Sequence, residues 1–415
     1  MKKQIYGFTL IFCLVLLVLS ATAYAENENA DDTLSAELTG ECGPALHWTL
    51  NTDSGEMTIT GSGEMTSSPW AEYKPYIRSL TVQPGAVTVA GIAFADCPCL
   101  TNVTLPDTVK VIYEGAFRDC ISLKTVDLGN GITSIKDAAF CNDSSLESIV
   151  IPAGFKNNWG VLGYAGIFRG CTALKEVTIE DGVDVISQQM FMDCKSLKKL
   201  VIPGSVTSIA REAFNGCTAL EEVVFEDGVQ TIGDFAFNGC SRLKKVEFGN
   251  EIQSIGAKCF ECCNCLKNVD LPDSLEFIGS YAFSECTALK TMELGKGVST
   301  IGDGAFCGDI KLESVVIPGT FQDNWGVLGC AGIFSGCTAL KEVTIEDGVN
   351  VISQHMFYNC SNLTKIVIPE SLSCIVDCAF ESCTSLTEVV YQGSKVNWDS
   401  IEIRRGNDLL IAAAG

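Results

Sequence analysis

Thirteen phenylalanines mark the chain at a nearly fixed spacing: Phe94, Phe117, Phe140, Phe168, Phe191, Phe214, Phe237, Phe260, Phe283, Phe306, Phe334, Phe357 and Phe380. Ten of the twelve intervals are 23 residues, and two, Phe140 to Phe168 and Phe306 to Phe334, are 28. A leucine stands six residues after every one, from Leu100 to Leu386. A unit this short cannot bury its apolar face alone. Stacking on its neighbours buries that face in one continuous core and pairs the backbones of successive units. Ordinary globules of 415 residues would split into two or three domains, whereas a stack can run this long as one body.

One full unit runs from Leu100 to Cys120. Leu100, Val103 and Leu105 follow the L-x-x-L-x-L pattern of a short strand whose alternate residues point inward. Pro106, or Glu-Asp-Gly in other units, turns the chain out of the strand. Val109 and Ile112 begin the return leg, and Ala116 with Phe117 fill the core again. The reading is a repeat solenoid of about 13 repeats. Counting Ile77, Leu80 and Val82 as an additional first strand, fourteen strands are expected to stack over roughly 60 Å at about 4.8 Å per strand.

Leu197 to Cys217 and Leu266 to Cys286 carry this pattern nearly intact, and in it the chain resembles the BspA-like, Treponema-type leucine-rich repeats of bacteria. The resemblance covers Ile77 to Tyr391. It implies a leucine-rich-repeat right-handed superhelix with β-strand on one face and irregular or short-helical return legs. It also implies an exported surface protein of a kind often linked to adhesion to host or matrix proteins.

A second duplication overlies the first. Leu146 to Leu197 and Leu312 to Leu363 are almost the same text at an offset of 166 residues, as if seven repeats had been copied. The expected organisation is a signal peptide over 1–25, a disordered linker over 26–37, an N-terminal β-hairpin cap over 38–76, the solenoid over 77–391 and a C-terminal cap over 392–415. Lys2 and Lys3, the apolar run Phe8 to Leu19 and the small-x-small triplet Ala23-Tyr24-Ala25 carry the export reading, with cleavage after Ala25. No later segment has the length of a membrane span. Without residues 1–25 the chain holds 26 basic and 51 acidic residues, a net charge of −25, which repels nucleic acid and anionic lipid headgroups.

Candidate ligand positions follow from the strand period. Residues flanking the central apolar position of each strand must face solvent. Thr178, Lys199, Glu222, Lys245, Glu247, Asp270, Glu293, Thr344 and Lys365 are the chosen representatives of that face. The face shows neither an aromatic row suited to sugars nor a basic row suited to phosphate, so a plain solvated sheet explains it equally well. Trp159 and Trp325 fall in the insertions of the two 28-residue units, where an exposed tryptophan could stack on a sugar or anchor a protein contact, or could instead pack back to hold the insertion. An extracellular protein or glycan is the expected partner. Self-association into a surface structure is the alternative, and a glycan-degrading enzyme is a remote third.

Catalytic and cofactor chemistry are not expected. The two histidines, His47 and His355, are far apart, and no phosphate-binding glycine loop or nucleophile elbow occurs. The Glu-Asp-Gly triplets read as turns in preference to calcium ligands. Of the 22 cysteines, eleven lie three residues after the repeat phenylalanine, and Asp143 and Asp309 take that place in the other two units. A ladder of parallel thiols is poorly set for disulfide torsions and is expected to be free and buried. Cys259, Cys262, Cys263 and Cys265 have a metal-like spacing, but Cys259 and Cys263 belong to core columns. Cofactors and metals are therefore expected to be absent.

Overall fold

The computed structural model describes residues 37–156, 166–322 and 332–414. Its compact body is Leu38–Gly415. Among the described residues the principal ladder holds fourteen repeat strands, from Ser79–Val82 through Asn102–Thr104 and onward to Glu388–Tyr391. They fall into four successive sheets, within each of which they pair in parallel at matching positions of successive units, as in Lys199↔Glu222 and Glu222↔Lys245.

Each turn has the same internal logic. Leu100, Val109, Ile112, Ala116 and Phe117 have no exposed surface, and Val103 and Leu105 are 2% exposed. The return leg is turn structure with two-residue strands, which form a second parallel ladder: Val111–Ile112 lies between Thr88–Val89 and Ser134–Ile135. A third set of bonds joins the turns that hold the phenylalanines. Phe94 N donates to Ala116 O at 2.8 Å and Phe117 N donates to Ala139 O at 2.8 Å. Up to three edges of a turn are thus bonded to the next, which answers where the backbone polar groups of so much non-helical chain go.

The phenylalanines form one column. Successive ring centroids lie 5.1 to 5.7 Å apart with interplanar angles of 3 to 22°. Such pairs contribute about 0.5–1.5 kcal/mol each beyond the area they bury. Phe140–Phe168 and Phe306–Phe334 sit at 5.3 Å, the spacing of ordinary turns, so the five extra residues leave the column intact. Phe155 and Phe321, just before the insertions, are 1% exposed and anchor those units to the core. Trp159 and Trp325 lie outside the described residues.

At the front, β1 (Glu37–Gly43), β2 (Leu46–Asn51) and β3 (Glu56–Gly61) precede the repeats, and β2 and β3 pair antiparallel. β3 then pairs in parallel with the first repeat strand, β4 (Ser79–Val82). Trp70 heads the aromatic column, stacked on Phe94 at 5.0 Å, and its Nε1–H donates to Ala93 O. At the back, Glu402–Ile403 extends the second ladder beyond Cys374–Ile375. Buried Asn407 does the work of a missing turn: its Oδ1 accepts from Phe380 N, and its Nδ2 donates to Val376 O and Arg404 O.

Candidate binding surface

The strand face is built by alternation. In Lys199–Ile202 the exposed Lys199 and Val201 alternate with buried Leu200 and Ile202. Thr178, Lys199, Lys245, Glu247, Asp270 and Glu293 are exposed, while Glu222, Thr344 and Lys365 are half-buried, so all nine reach solvent. The parallel register sets like positions side by side, and opposite charges alternate along it. Glu222 lies between Lys199 at 3.0 Å and Lys245 at 3.4 Å, and Lys245 also contacts Glu247. Lys365 bridges Glu342 at 3.2 Å and Glu388 at 3.9 Å. The bond from Lys199 holds the Glu222 carboxyl below its ordinary range, and the bond to Glu342 holds the Lys365 ammonium above its own. These charges neutralise one another, so they do not mark a site for a charged ligand.

The apolar members of the face are more informative. Val150, Val201 and Val316 are 48, 42 and 49% exposed. Val150 pairs with Thr178, and Val316 pairs with Thr344, so each duplicated block repeats a valine–threonine row. The first sheet ends at Glu176–Ile179, and a new one begins at Lys199–Ile202. An open groove lies over that seam, lined by Glu176, Thr178, Lys199, Val201, Pro203 and Glu226. The sequence-expected Thr178 and Lys199 are brought together there. Asp270 and Glu293 stand opposite one another further along, in a separate pair of strands.

The Glu-Asp-Gly triplets have a structural employment. Gly182, Gly228 and Gly348 take φ of 111, 123 and 110°, and Glu180, Glu226 and Glu346 accept backbone N–H bonds from Ala153, Gly204 and Gly319. In the metal-like cysteine cluster, Cys259 and Cys263 are fully buried. All the described cysteines are free thiols.

The repeat text conceals a second exposed column. Two residues before most core phenylalanines, the backbone is left-handed: φ is 54° at Gln189, 59° at Glu212, 57° at Phe235, 55° at Lys258 and 58° at Tyr281. Glycine takes the place at Gly115 and Gly304, at φ of 59 and 60°. Residues with a Cβ pay about 1–2 kcal/mol for this conformation. The neighbouring left-handed position, two residues after the phenylalanine, is filled mostly by Asp, Asn and Gly, the types that tolerate it. The first column instead carries large side chains that interact along the stack. Arg211 lies 5.0 Å from the Phe235 ring centroid, and Lys258 lies 5.8 and 5.4 Å from Phe235 and Tyr281. Period reading finds inward-facing columns; this outward one has variable residues and shows only when φ is known.

A family model for the BspA type leucine-rich repeat region matches residues 87–221, 207–324 and 330–401. The chain belongs to the BspA-type leucine-rich repeat family. Among solved structures, this BspA-type chain is similar to a leucine-rich repeat protein from Bacteroides ovatus, at 24% identity and a TM-score of 0.64 over 87% of this chain and 88% of that one. It also matches a leucine rich cell surface protein from Faecalibacterium prausnitzii, at 23% identity and a TM-score of 0.40 over 90% and 99% of the chains. The pneumococcal vaccine antigen PcpA matches at 19% identity and a TM-score of 0.47 over 88% and 100%. No curated protein matches this BspA-type sequence. Among its described residues, no helix is long and apolar enough to cross a membrane.

Proposed function

We propose that the protein is an exported, non-enzymatic binding protein that acts at the cell surface or outside the cell and recognises an extracellular protein or glycan through its strand face. The carrying observation is the pair of valine–threonine rows. An exposed strand position is free to be polar, and single exposed apolar residues are ordinary. Val150 and Val316 are exposed at the same place in two copied blocks, and Val201, in line with the first of them, borders a groove, which is the pattern of a contact surface. The N-terminal segment of Lys2, Lys3 and an apolar run to Leu19 supports export. The self-neutralised charges around the rows fit a partner held by shape and apolar contact.

The test is a screen of the chain from residue 26 onward against arrayed matrix proteins and glycans. Val150→Glu with Val201→Glu is expected to weaken a saturable hit at least ten-fold, about 1.4 kcal/mol. Trp159→Ala with Trp325→Ala is the parallel variant. Loss of the hit in that variant alone would move the contact to the insertions and overturn the strand-face reading. The duplication at an offset of 166 residues also suits a self-associating surface component. Large assemblies in light scattering, with no hit on the array, would favour that second reading.

A further inference from the structure

The two histidines are far apart in sequence, but folding gives one of them a chemical neighbourhood. His355, Cys378 and Glu381 each offer a ligand atom, and these atoms all lie within 4.8 Å of one another. No other group of three His, Cys, Asp or Glu side chains among the described residues comes together in this way. The repeat geometry explains the meeting. His355 and Cys378 are 23 residues apart, each two residues before a core phenylalanine, and both have φ of 57°. They occupy consecutive rungs of the outward left-handed column, so their side chains leave the backbone side by side. Glu381 follows Phe380 in the same turn as Cys378. The matching pair five turns earlier in the repeats, Lys258 and Glu261, forms an ion pair at 3.1 Å, which shows that this turn brings the two positions into contact.

The neighbours hold the donors in place and leave one side open. The His355 ring meets the Tyr358 ring edge-on at 5.6 Å and 78°. Cys378 N donates to Arg405 O, and the backbone of Gly406 packs so closely that a Cβ there would lie 2.7 Å from the Cys378 sulfur. An open cleft lined by Cys378, Glu381, Ser382, Arg405 and Asp408 gives access from solvent. Neither His355 nor Cys378 is spent on the core, both sit where glycine would be unstrained, and ladder packing asks for neither.

We propose that His355, Cys378 and Glu381 bind a divalent transition metal, zinc by preference, with a fourth position left to water or to a group from a partner. The ligand chemistry selects the ion. One imidazole nitrogen, one thiolate and one carboxylate make a mixed soft and borderline set that suits tetrahedral zinc and disfavours calcium or magnesium, which take oxygen ligands. The Cys378 thiol hydrogen-bonds to the Glu381 carboxylate, which raises the pKa of the thiol, so metal binding must displace the thiol proton. Cysteine spacing in the sequence points to residues 259–265; the folded arrangement points here, because its ligands are spaced by the repeat period. The site is independent of the strand-face reading.

The test uses the reduced, purified protein titrated with Co²⁺ and then with Zn²⁺ as competitor, read by absorption and calorimetry. The expected result is one equivalent bound with micromolar or tighter affinity and a thiolate-to-cobalt charge-transfer band that zinc removes. Cys378→Ala should abolish the band. His355→Ala and Glu381→Gln should each weaken binding by more than the about ten- to hundred-fold that loss of a supporting outer residue costs. Cys262→Ala with Cys265→Ala should change nothing. Thermal unfolding of each variant without metal checks the fold. Absence of saturable binding, or a band that survives Cys378→Ala, would overturn the proposal.

Discussion

Eleven turns place a cysteine three residues after the core phenylalanine, and two place an aspartate; all thirteen side chains are 0% exposed. The thiols fit because they stay neutral and carry a donor. Ten of them lie 3.1 to 3.5 Å from the core phenylalanine carbonyl of the preceding turn, as Cys120 does from Phe94 O and Cys217 from Phe191 O. Burial pushes the Cys217 and Cys383 thiols up to about 12. The two aspartates meet half of the same demand. Asp143 Oδ1 accepts from Cys120 N and Asp309 Oδ1 accepts from Cys286 N, both at 2.8 Å, while each Oδ2 is buried without a partner. Burial raises both carboxyls well above the ordinary range. The contrast defines what the column requires: a small neutral group that accepts from one rung and can donate to another. A protonated carboxyl meets it, and an ionised one does not.

The largest expected effect comes from forcing the comparison. Cys217→Asp puts a carboxyl into an ordinary rung and should lower stability at neutral pH by about 3–5 kcal/mol, the cost of leaving a buried charge uncompensated. A midpoint of urea unfolding within error of wild type would show that the column tolerates charge anywhere. The reverse change, Asp143→Asn with Asp309→Asn, should stabilise at neutral pH by about 1–3 kcal/mol per site, because the amide fills the same space with no ionisation to suppress. The pH profile carries the sign. A carboxyl whose folded pKa is raised gives stability that is fully present below its unfolded value of about 3.9 and is lost as pH rises through the folded value. The difference between wild type and the double variant should therefore grow with pH through the range above about 4. A difference independent of pH would mean that the aspartates are already paired.

The regular part of the molecule was legible because its signals are local and repeated. The spacing of Leu100, Val103, Leu105 and Phe117 fixes which residues face inward, and thirteen repetitions remove ambiguity of period. The alternation of Lys199, Leu200, Val201 and Ile202 likewise marks the solvent face. Pairings between rungs were not legible. Lys199, Glu222 and Lys245 read as three unrelated candidates until the parallel register made them mutual partners. His355 reads only as one of two distant histidines and nothing in the sequence singles out Cys378, because neither belongs to an inward-facing column of the repeat. The second ladder at Val111–Ile112 was hidden because two-residue strands leave no alternation to detect.

A smaller change sharpens the account of the cysteine column. Cys217→Ser keeps a donor and an acceptor at the same place but shortens the reach to Phe191 O. It should cost about 1 kcal/mol, far less than the aspartate at the same position. A loss as large as that of Cys217→Asp would make bulk, not neutrality, the requirement of the column.

The smallest effect belongs to an acid in the opposite situation. Glu222 lies on the solvent-facing strand side between Lys199 and Lys245, and the hydrogen bond from Lys199 lowers its carboxyl from the ordinary range. Its contribution to stability is present above the unfolded glutamate value of about 4.3 and is lost as pH falls through the lowered one, the reverse of Asp143. Glu222→Gln should therefore cost little at neutral pH, nothing measurable at high salt, and nothing at all in strong acid, because surface pairs are screened. The two variants make a matched set in one fold: removing the buried acid should help increasingly as pH rises, and removing the surface acid should harm only where pH is high and salt is low. If Glu222→Gln were as costly as Cys217→Asp, the charges on the strand face would be holding the stack together, and the face would no longer be free to serve a partner.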